Sequence, residues 1–305
     1  MRDDVRWTNL TPTQIARQLS EPAAEAGAEA GAKVGRRVVK QLLTRHRYRR
    51  RKAMKDQTMG RRHPDRDAQF RNIARLRAEY LAAGDPVLSV DTKKKELLGN
   101  FFRTGTLYTR EAQHAFDHDF PSFASGVAIP HGLYDVGRNR GHINLGTSRD
   151  TSEFACDSIG HWWRAHGRAQ YPRARRLLLL CDGGGSNSAS HYLFKQDLQR
   201  LADELALEVR VAHYPPYCSK YNPVEHRMFP HVTAACRGVI FHTVGVVKHF
   251  MERTTTSTGL KVTVDVLDKV YATGRRCAAG FRKTMRIVFD ELMPKWNYRA
   301  VPNTA

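Results

Sequence analysis

The stretch Arg176-Leu-Leu-Leu-Leu-Cys-Asp182 predicts the centre of the fold. Five apolar residues run without a break over 177–181, which is typical of a short strand buried on both faces of a sheet. Asp182 follows directly, and three glycines then end the segment. Two similar segments flank it along the chain: residues 86–90, followed by Asp91, and Glu208–His213. We therefore expect three strands of one sheet, two of which end at an aspartate.

The segments around these strands complete an α/β pattern. Residues 126–136 and 141–146 are typical of a hairpin, and helices are expected after a cap at Asp150, over residues 187–206 and from Asn222 onward. The order β-β-β-α-β-α-β-α is that of a ribonuclease H-like mixed sheet, in which the first and fourth strands are central neighbours. We predict this α/β fold class, preceded by a small helical region that resembles a helix-turn-helix.

Acidic side chains stand where this fold brings two strand ends and a helix start together. Asp91 ends the first strand, Asp182 ends the fourth, and Glu225 lies in the first turn of the last helix. Clustered carboxylates repel one another and raise each other's pKa unless a cation joins them. Oxygen ligands suit Mg²⁺, and two such ions can activate a water or a 3′-hydroxyl and stabilise the leaving oxygen of a phosphodiester. The pattern predicts a catalytic metal site.

Each carboxylate also has a purely structural interpretation. Asp91 could cap a turn, Asp182 could be a turn residue before the glycines, and Glu225 could form a capping box with Asn222. The three positions taken together, in this order and on these elements, favour the catalytic interpretation.

Positive charge is concentrated near the amino end. The 305 residues include 50 Lys and Arg against 30 Asp and Glu, which gives a formal net charge of +20. Thirteen of these cations and a single acid, Asp56, lie within residues 33–62. Clustered cations release counterions from nucleic-acid phosphates, whereas a solvated basic tail needs no partner. We expect DNA contacts from this segment, in particular from Arg36, Arg37, Lys40, Arg49, Arg50 and Arg51.

Local patterns place two short helices in the same region. Thr11-Pro-Thr-Gln14 is typical of a helix start, with Thr11 as N-cap, Pro12 in the first turn and Gln14 at the capping-box position. A short helix followed by a basic helix is what a helix-turn-helix presents to the major groove of DNA. Apolar residues at helical spacing mark the second helix: Val34, Val38, Val39, Leu42 and Leu43.

Composition divides the chain into four parts and excludes several classes of protein. We predict a basic DNA-binding region over residues 1–62, a connecting helix over 63–85, a catalytic domain over 86–251 and a C-terminal extension over 252–305. The sequence has no apolar run long enough to cross a membrane and no secretory signal at its start. Its five cysteines, without a Cys-x-x-Cys pair, fit a reducing compartment, so we expect a cytoplasmic, nucleoid-associated protein.

Three longer motifs resemble those of a known family. They are Ser89-Val-Asp-Thr-Lys-Lys-Lys-Glu96, Asp182-Gly-Gly-Gly-Ser-Asn187 and Tyr214-Pro-Pro-Tyr-Cys-Ser-Lys-Tyr-Asn-Pro-Val-Glu-His-Arg227. These motifs are similar to segments of DDE transposases, in particular of the ISAzo-type family of bacterial insertion sequences, and the last also resembles mariner-related transposases. The likeness runs from about residue 35 to residue 298.

The resemblance implies more than the spacing alone. It implies a ribonuclease H-like core, an acidic triad at Asp91, Asp182 and Glu225, and a Mg²⁺ cofactor for which Mn²⁺ can substitute. The partners it implies are double-stranded DNA, as transposon ends and target, and further copies of the chain assembled on that DNA. It implies no membrane partner. Because family members extend further at the amino end, we expect the DNA-binding region here to be truncated. The lysines after the first aspartate are expected to face phosphates near the scissile bond: Lys93, Lys94 and Lys95.

Three functional hypotheses follow. The first is a DDE transposase that cleaves DNA strands and transfers them at insertion-sequence ends. The second is a catalytically idle or co-opted DNA-binding protein derived from a transposase, and the intact triad speaks against it. The third is a ribonuclease H-like nuclease that acts on structured RNA or junctions, and the basic amino-terminal helix disfavours it.

Overall fold

A computed structural model describes residues 6–20, 33–51 and 63–303 of the chain. The chain divides into two compact units, residues 1–58 and residues 59–305. Each unit is described separately below. No helix within the described residues is long and apolar enough to cross a membrane.

The first unit contains two short helices, α1 (Pro12–Ser20) and α2 (Arg36–Arg45). The predicted capping box at α1 is confirmed: the Thr11 backbone N–H donates to Gln14 Oε1 at 2.8 Å, and the Gln14 N–H donates to Thr11 Oγ1 at 3.3 Å. Only one side chain of each helix is buried, Ala16 in α1 and Val39 in α2. Leu19, also on α1, is 52% exposed.

The second unit is built around one mixed sheet of nine strands. Their order across the sheet is β7-β4-β3-β1-β5-β6-β9-β8, and β2 pairs with β3 alone. The strands are β1 (Val87–Thr92), β2 (Glu96–Leu98), β3 (Gly126–Asp135), β4 (Arg140–Gly146), β5 (Arg176–Cys181), β6 (Glu208–His213), β7 (Lys261–Leu267), β8 (Ile287–Phe289) and β9 (Asn297–Ala300).

The central five strands confirm the predicted ribonuclease H-like class. They stand in the order β4-β3-β1-β5-β6, with β3 antiparallel to β1 and with β1, β5 and β6 parallel to one another. Numbered along the chain as the five predicted strands, this order is 3-2-1-4-5. The first and fourth predicted strands, β1 and β5, are therefore direct neighbours.

Helices cover both faces of the sheet. They are α3 (Arg66–Ala83), α4 (Ser152–Trp162), α5 (Arg168–Gln170), α6 (Tyr192–Leu205), α7 (Pro223–Arg227), α8 (Phe229–Ala235), α9 (Val244–Glu252) and α10 (Phe281–Thr284). On one face, α4 and α6 pack against Leu88 and Val90 of β1. On the other, α3 packs against Val87, and α7 to α9 cover Ile143 and Leu145 of β4. The sheet is thus the middle of three layers.

Two predicted helix starts are wrong by a few residues. Thr151, not Asp150, caps α4: its side chain accepts the Phe154 N–H at 3.2 Å, while Asp150 accepts the Thr92 hydroxyl. The helix predicted over residues 187–206 begins only at Tyr192, because the glycine- and serine-rich segment after Asp182 forms a turn over Gly185–Asn187 instead.

The part of the chain predicted as a C-terminal extension contributes strands to both sides of the sheet. β7 pairs in parallel with β4, and β9 pairs antiparallel with β6. These strands were not predicted from the sequence.

Candidate active site

Asp91 and Asp182 lie at the same end of neighbouring parallel strands. Asp91 is the second-last residue of β1, and Asp182 directly follows β5. The register pairs Ser89 with Leu180, so two residues further along each strand Asp91 stands level with Asp182. Adjacent parallel strands are about 4.8 Å apart, which brings the two carboxylates into electrostatic reach of each other.

A buried link between β1 and α7 brings Glu225 to this strand end. The Ser89 hydroxyl, fully buried, donates to Asn222 Oδ1 and accepts the Val224 backbone N–H at 2.7 Å. The Asn222 side-chain amide donates to the Val90 carbonyl at 3.1 Å. These three bonds fasten the start of α7 to the residues just before Asp91, and Glu225 follows one residue after Val224.

The same link bears on the capping interpretation of Asn222. Asn222 is the residue before α7, but its side chain makes no cap hydrogen bond. Its amide oxygen and nitrogen are used on β1 instead. Within the described part of the chain, Asn222 therefore connects a helix to a strand rather than capping the helix.

A second network holds the backbone of Asp182. The imidazole of His213 on β6 donates from Nδ1 to the Asp182 carbonyl at 2.8 Å and accepts the Tyr298 hydroxyl at Nε2, 2.9 Å away. Burial lowers the pKa of His213 to about 4. The ring is therefore neutral near pH 7, which is the form that can donate from one nitrogen and accept at the other.

The electrostatics of the strand end disfavour negative charge. Burial, then the charges of Asp182 and Glu225, raise the pKa of Asp91 from 3.8 to about 8, and a hydrogen bond with Glu225 adds to the effect. Burial also raises the pKa of Asp182, with a further contribution from Glu225. Carboxylates clustered in this way favour a nearby cation.

The donor set is suited to a hard divalent cation, although it is not a preformed cage. All three side chains offer carboxylate oxygens, the ligands that Mg²⁺ prefers. Across residues 6–20, 33–51 and 63–303, no group of three or more His, Cys, Asp or Glu side chains is arranged to hold a metal ion. Mg²⁺ commonly takes only one or two protein carboxylates and completes its shell with water and substrate phosphate. The chemistry of the residues therefore fits such an ion.

A cleft of about 710 Å³ opens beside Glu225, and its lining includes both cations and acids. Lys93 and Lys94 line it, but they differ: Lys93 Nζ pairs with Glu96 at 2.7 Å and is largely buried, whereas Lys94 is exposed. Glu96 also pairs with Arg103, 3.4 Å away. Lys95 is exposed as well. Of the three lysines predicted to face DNA, Lys93 thus has its charge matched within the protein.

The cations predicted to bind DNA in the first unit are all exposed where the structure describes them. Those with described positions are Arg36, Arg37, Lys40, Arg49, Arg50 and Arg51. Three further cations of the predicted basic segment are described and exposed as well, namely Lys33, Arg45 and Arg47. The last four, Lys52, Lys55, Arg61 and Arg62, lie outside the described residues.

Sequence reasoning missed the residues that support the site. Ser89 lies two positions before Asp91, so its side chain is on the same face of β1, a signal that strand alternation could have provided. Asn222 was noticed only as a helix cap. His213 and Tyr298 gave no signal, because their partnership spans 85 residues of sequence.

The family model described as the Rhodopirellula transposase DDE domain matches residues 1–302. Among solved structures, the Mos1 transposase paired-end complex with left transposon end is similar, with a TM-score of 0.45 and 15% identity, covering 82% of this chain and 66% of that chain. The Mos1 mariner paired end complex with Mn is similar with a TM-score of 0.44 and 18% identity, and the match covers the same shares of the two chains. The human cytomegalovirus terminase nuclease domain matches with a TM-score of 0.22 and 17% identity, covering 62% of this chain and 69% of that chain.

The chain thus spans just under two thirds of the Mos1 chains that it matches. No curated protein matches it.

Proposed function

The chain belongs to the transposase family described as the Rhodopirellula transposase DDE domain, and from this premise we propose that it cleaves DNA strands and transfers them at the ends of an insertion sequence. Its substrate is double-stranded DNA, as element ends and as target. Further copies of the chain assemble with it on that DNA. Since the substrate is chromosomal, we place its action in the bacterial cytoplasm, with the nucleoid.

One observation carries the proposal: Asp91, Asp182 and Glu225 come from three separate elements and meet at one strand end. The parallel register aligns the first two, and the Ser89–Asn222 link supplies the third. Clustered carboxylates repel one another when they are ionised, and this repulsion destabilises the folded state. Such a cluster is typical of a site that is completed by a cation and used for chemistry.

We propose that Asp91, Asp182 and Glu225 hold Mg²⁺, for which Mn²⁺ substitutes. A divalent ion bound there supplies acidity to a water or 3′-hydroxyl and neutralises charge on the leaving oxygen. The protein's own contribution is to orient the ligands. The bond from His213 fixes the Asp182 backbone, and the bonds from Ser89 and Asn222 fix the start of α7.

The cations around the site position the DNA. Lys94 lines the cleft beside Glu225 and is exposed, so we assign it a phosphate near the scissile bond. Lys93 has a buried partner in Glu96, so its role is to hold the segment after β1 rather than to contact DNA. The exposed residues Arg36, Arg37 and Lys40 on α2 supply contacts away from the scissile bond.

A strand-cleavage assay tests the proposal. With duplexes that carry the element's own ends and Mg²⁺ present, Asp91→Asn, Asp182→Asn and Glu225→Gln should each lower cleavage by more than about 100-fold, since loss of even an outer partner of a metal ligand costs 10–100-fold. Each variant should still bind the duplex. Glu79→Gln is the matched control, because Glu79 is an exposed carboxylate on α3 that pairs with Arg75 and Arg176.

Two results of this assay would contradict the proposal. Cleavage that persists in any of the three variants would show that the substituted residue is not part of the site. DNA binding by the unaltered chain without cleavage in either Mg²⁺ or Mn²⁺ would favour the alternative, an idle DNA-binding protein.

A further inference from the structure

A second cleft, of about 640 Å³, lies between the β3–β4 turn, β7 and the segment that follows α4. Three cations line it, Arg138, Arg140 and Lys261, and among the described residues that line it none is acidic. No ion pair among the described residues involves these three cations. One carboxylate outside the lining, Asp265, lies 3.9 Å from Nε2 of His166 and offsets part of this charge. With three cations, the cleft still carries net positive charge.

Three buried polar atoms at this cleft have no hydrogen-bond partner among the described residues. They are His142 Nε2, His166 Nε2 and Gln170 Oε1, and all three residues line the cleft. The His142 side chain is the most enclosed, since the residue is only 6% exposed. An unpaired buried polar group costs about 1–3 kcal/mol. The two imidazole nitrogens can donate to a polar ligand in this cavity, whereas the amide oxygen of Gln170 only accepts and adds nothing to the binding of an anion.

The environment of His142 allows its unpartnered ring nitrogen to be a hydrogen-bond donor. Burial, followed by the neighbouring His166, lowers the pKa of His142 to about 3, so the ring is neutral near pH 7. Its Nδ1 lies 2.7 Å from the Thr263 hydroxyl. When that hydroxyl donates to Nδ1, the ring hydrogen resides on Nε2, the atom without a partner. A neutral N–H donor beside three cations suits an anion.

The walls of the cleft hold the cations in place without neutralising them. Arg138 Nη2 donates to the Gln170 carbonyl at 2.7 Å, and Arg140 Nη1 donates to the Gly259 carbonyl at 3.4 Å. Asn139 holds the turn before β7, because its side-chain amide donates to the Thr258 carbonyl at 3.0 Å. This turn belongs to the Thr-rich segment 254–261, and it positions Lys261 at the cleft.

The cleft is separate from the three carboxylates. In the sheet, Val90 pairs with Leu133, and Leu133 pairs with His142, so these side chains share one face. Asp91, next to Val90, points to the other face. The two sites are also apart along the strands. Asp91 pairs with Gly132 of β3, whereas Arg140 pairs with Asp135. Gly132 and Asp135 are three residues, roughly 10 Å, apart along β3.

We propose that this cleft binds a backbone phosphate of DNA, as a contact separate from the site at the end of β1. The choice of DNA rests on the proposed function, whereas the affinity for a phosphate anion rests on the cleft alone. Because the two sites face opposite sides of the sheet, the cleft engages a different stretch of DNA from the one that is cut.

Histidine-detected NMR on the full-length chain tests the proposal. With ¹⁵N-labelled histidine, the Nε2–H signal of His142, assigned by its loss in His142→Asn, is followed while inorganic phosphate is added, and then while a short duplex is added. We expect both probes to shift it. Arg140→Gln combined with Lys261→Gln should weaken both responses at least tenfold, and folding is not at risk because these side chains lie at the rim.

The control is Lys283→Gln combined with Lys295→Gln, which removes the same charge from two exposed lysines outside the cleft. It should leave the His142 response unchanged. No shift with phosphate, or an equal shift in the two double variants, would overturn the proposal. A shift with phosphate but none with duplex would overturn the assignment to DNA. None of these results depends on strand cleavage, so failure here and failure of the proposed function are distinguishable.

Discussion

Asp91 stands in an environment that opposes its own charge. Burial of the carboxyl, then the charges of Asp182 and Glu225, raise its pKa to about 8. A raised pKa in the folded state means that the folded chain binds more protons than the unfolded chain between pH 4 and pH 8. Stability from this group is therefore present at low pH and is lost as the pH rises through about 8.

Replacing this carboxyl should stabilise the fold in the absence of divalent metal. We expect Asp91→Asn to raise the free energy of unfolding at pH 8 by several kcal/mol, because each unit of pKa shift corresponds to about 1.4 kcal/mol and the pKa of Asp91 is raised from 3.8 to about 8. At pH 4 the difference should be near zero. Urea unfolding at both pH values, with a chelator present, measures it.

The control for this comparison is Asp268→Asn, which alters an exposed aspartate and should change stability little at either pH. An Asp91→Asn chain that is less stable than the unaltered chain at both pH values would show that the carboxylates are not a strained cluster.

The three acidic residues could be selected from the sequence, but their surroundings could not. Asp91 and Asp182 follow apolar runs, and the strand order then makes them neighbours. Glu225 was ambiguous, because the same spacing from Asn222 fits a capping box. The structure adds that the Ser89 hydroxyl donates to Asn222 Oδ1, which joins residues 133 positions apart and ties the start of α7 to β1. No local pattern reports a contact of that range.

At the scale of elements, α7 is placed by one buried hydroxyl. The helix has only five residues, too few to be stable without tertiary contacts. Ser89 on β1 receives its Val224 N–H and bonds Asn222, so the helix start is fixed to the strand that carries Asp91. The position of Glu225 thus depends on a strand residue outside the proposed acidic triad.

Removing that hydroxyl should separate α7 from β1. We expect Ser89→Ala to lower the free energy of unfolding by about 1–3 kcal/mol, because Asn222 Oδ1 and the Val224 N–H lose a buried partner. Single-turnover cleavage should fall by about tenfold or more, as for loss of other residues that orient metal ligands. Urea unfolding and a cleavage time course on the same preparation measure the two effects.

Ser158→Ala is the matched control for the loss of a buried hydroxyl. Ser158 on α4 is fully buried, and its hydroxyl bonds His131 and Asn144 rather than any element of the candidate site. It should lose stability to a similar extent but keep its cleavage rate. Equal loss of cleavage in both variants would show that Ser89 affects cleavage only through the general stability of the fold.

The five central strands followed from sequence, and the outer ones did not. β5 and β6 are found over their predicted residues. β5 contains an uninterrupted apolar run, which is typical of a buried strand. β8 and β9 have three and four residues, which is too short to show a periodicity. β7 has an alternating pattern, but its partner β4 lies more than 110 residues earlier, so the pairing is a property of the assembled sheet.

At the scale of the whole molecule, charge is distributed unevenly between the two units. The first unit carries exposed cations on and after α2, and few side chains in its two helices are buried. Small buried area gives little hydrophobic stabilisation, at about 25 cal/mol per Å². We therefore expect this unit to contribute electrostatic contacts to DNA rather than a rigid, base-reading surface.

The salt dependence of DNA binding tests that expectation. Arg36→Gln, Arg37→Gln and Lys40→Gln combined should reduce the slope of log affinity against log salt by about 0.9 for each DNA phosphate that the variant no longer neutralises. The control combines Arg276→Gln, Lys283→Gln and Lys295→Gln, three exposed cations of the second unit. An unchanged slope in the α2 variant, or an equal reduction in the control, would refute a DNA contact by α2.

The central claim is that β1, β5 and α7 form one metal site, and Fe²⁺ in place of Mg²⁺ tests it most directly. With ascorbate and hydrogen peroxide, a bound Fe²⁺ ion generates hydroxyl radicals that break the polypeptide nearby. We predict breaks close to residues 91, 182 and 225 together, suppressed by excess Mg²⁺ and absent in Asp91→Asn. Breaks confined to one of these positions, or lying elsewhere in the chain, would contradict the account.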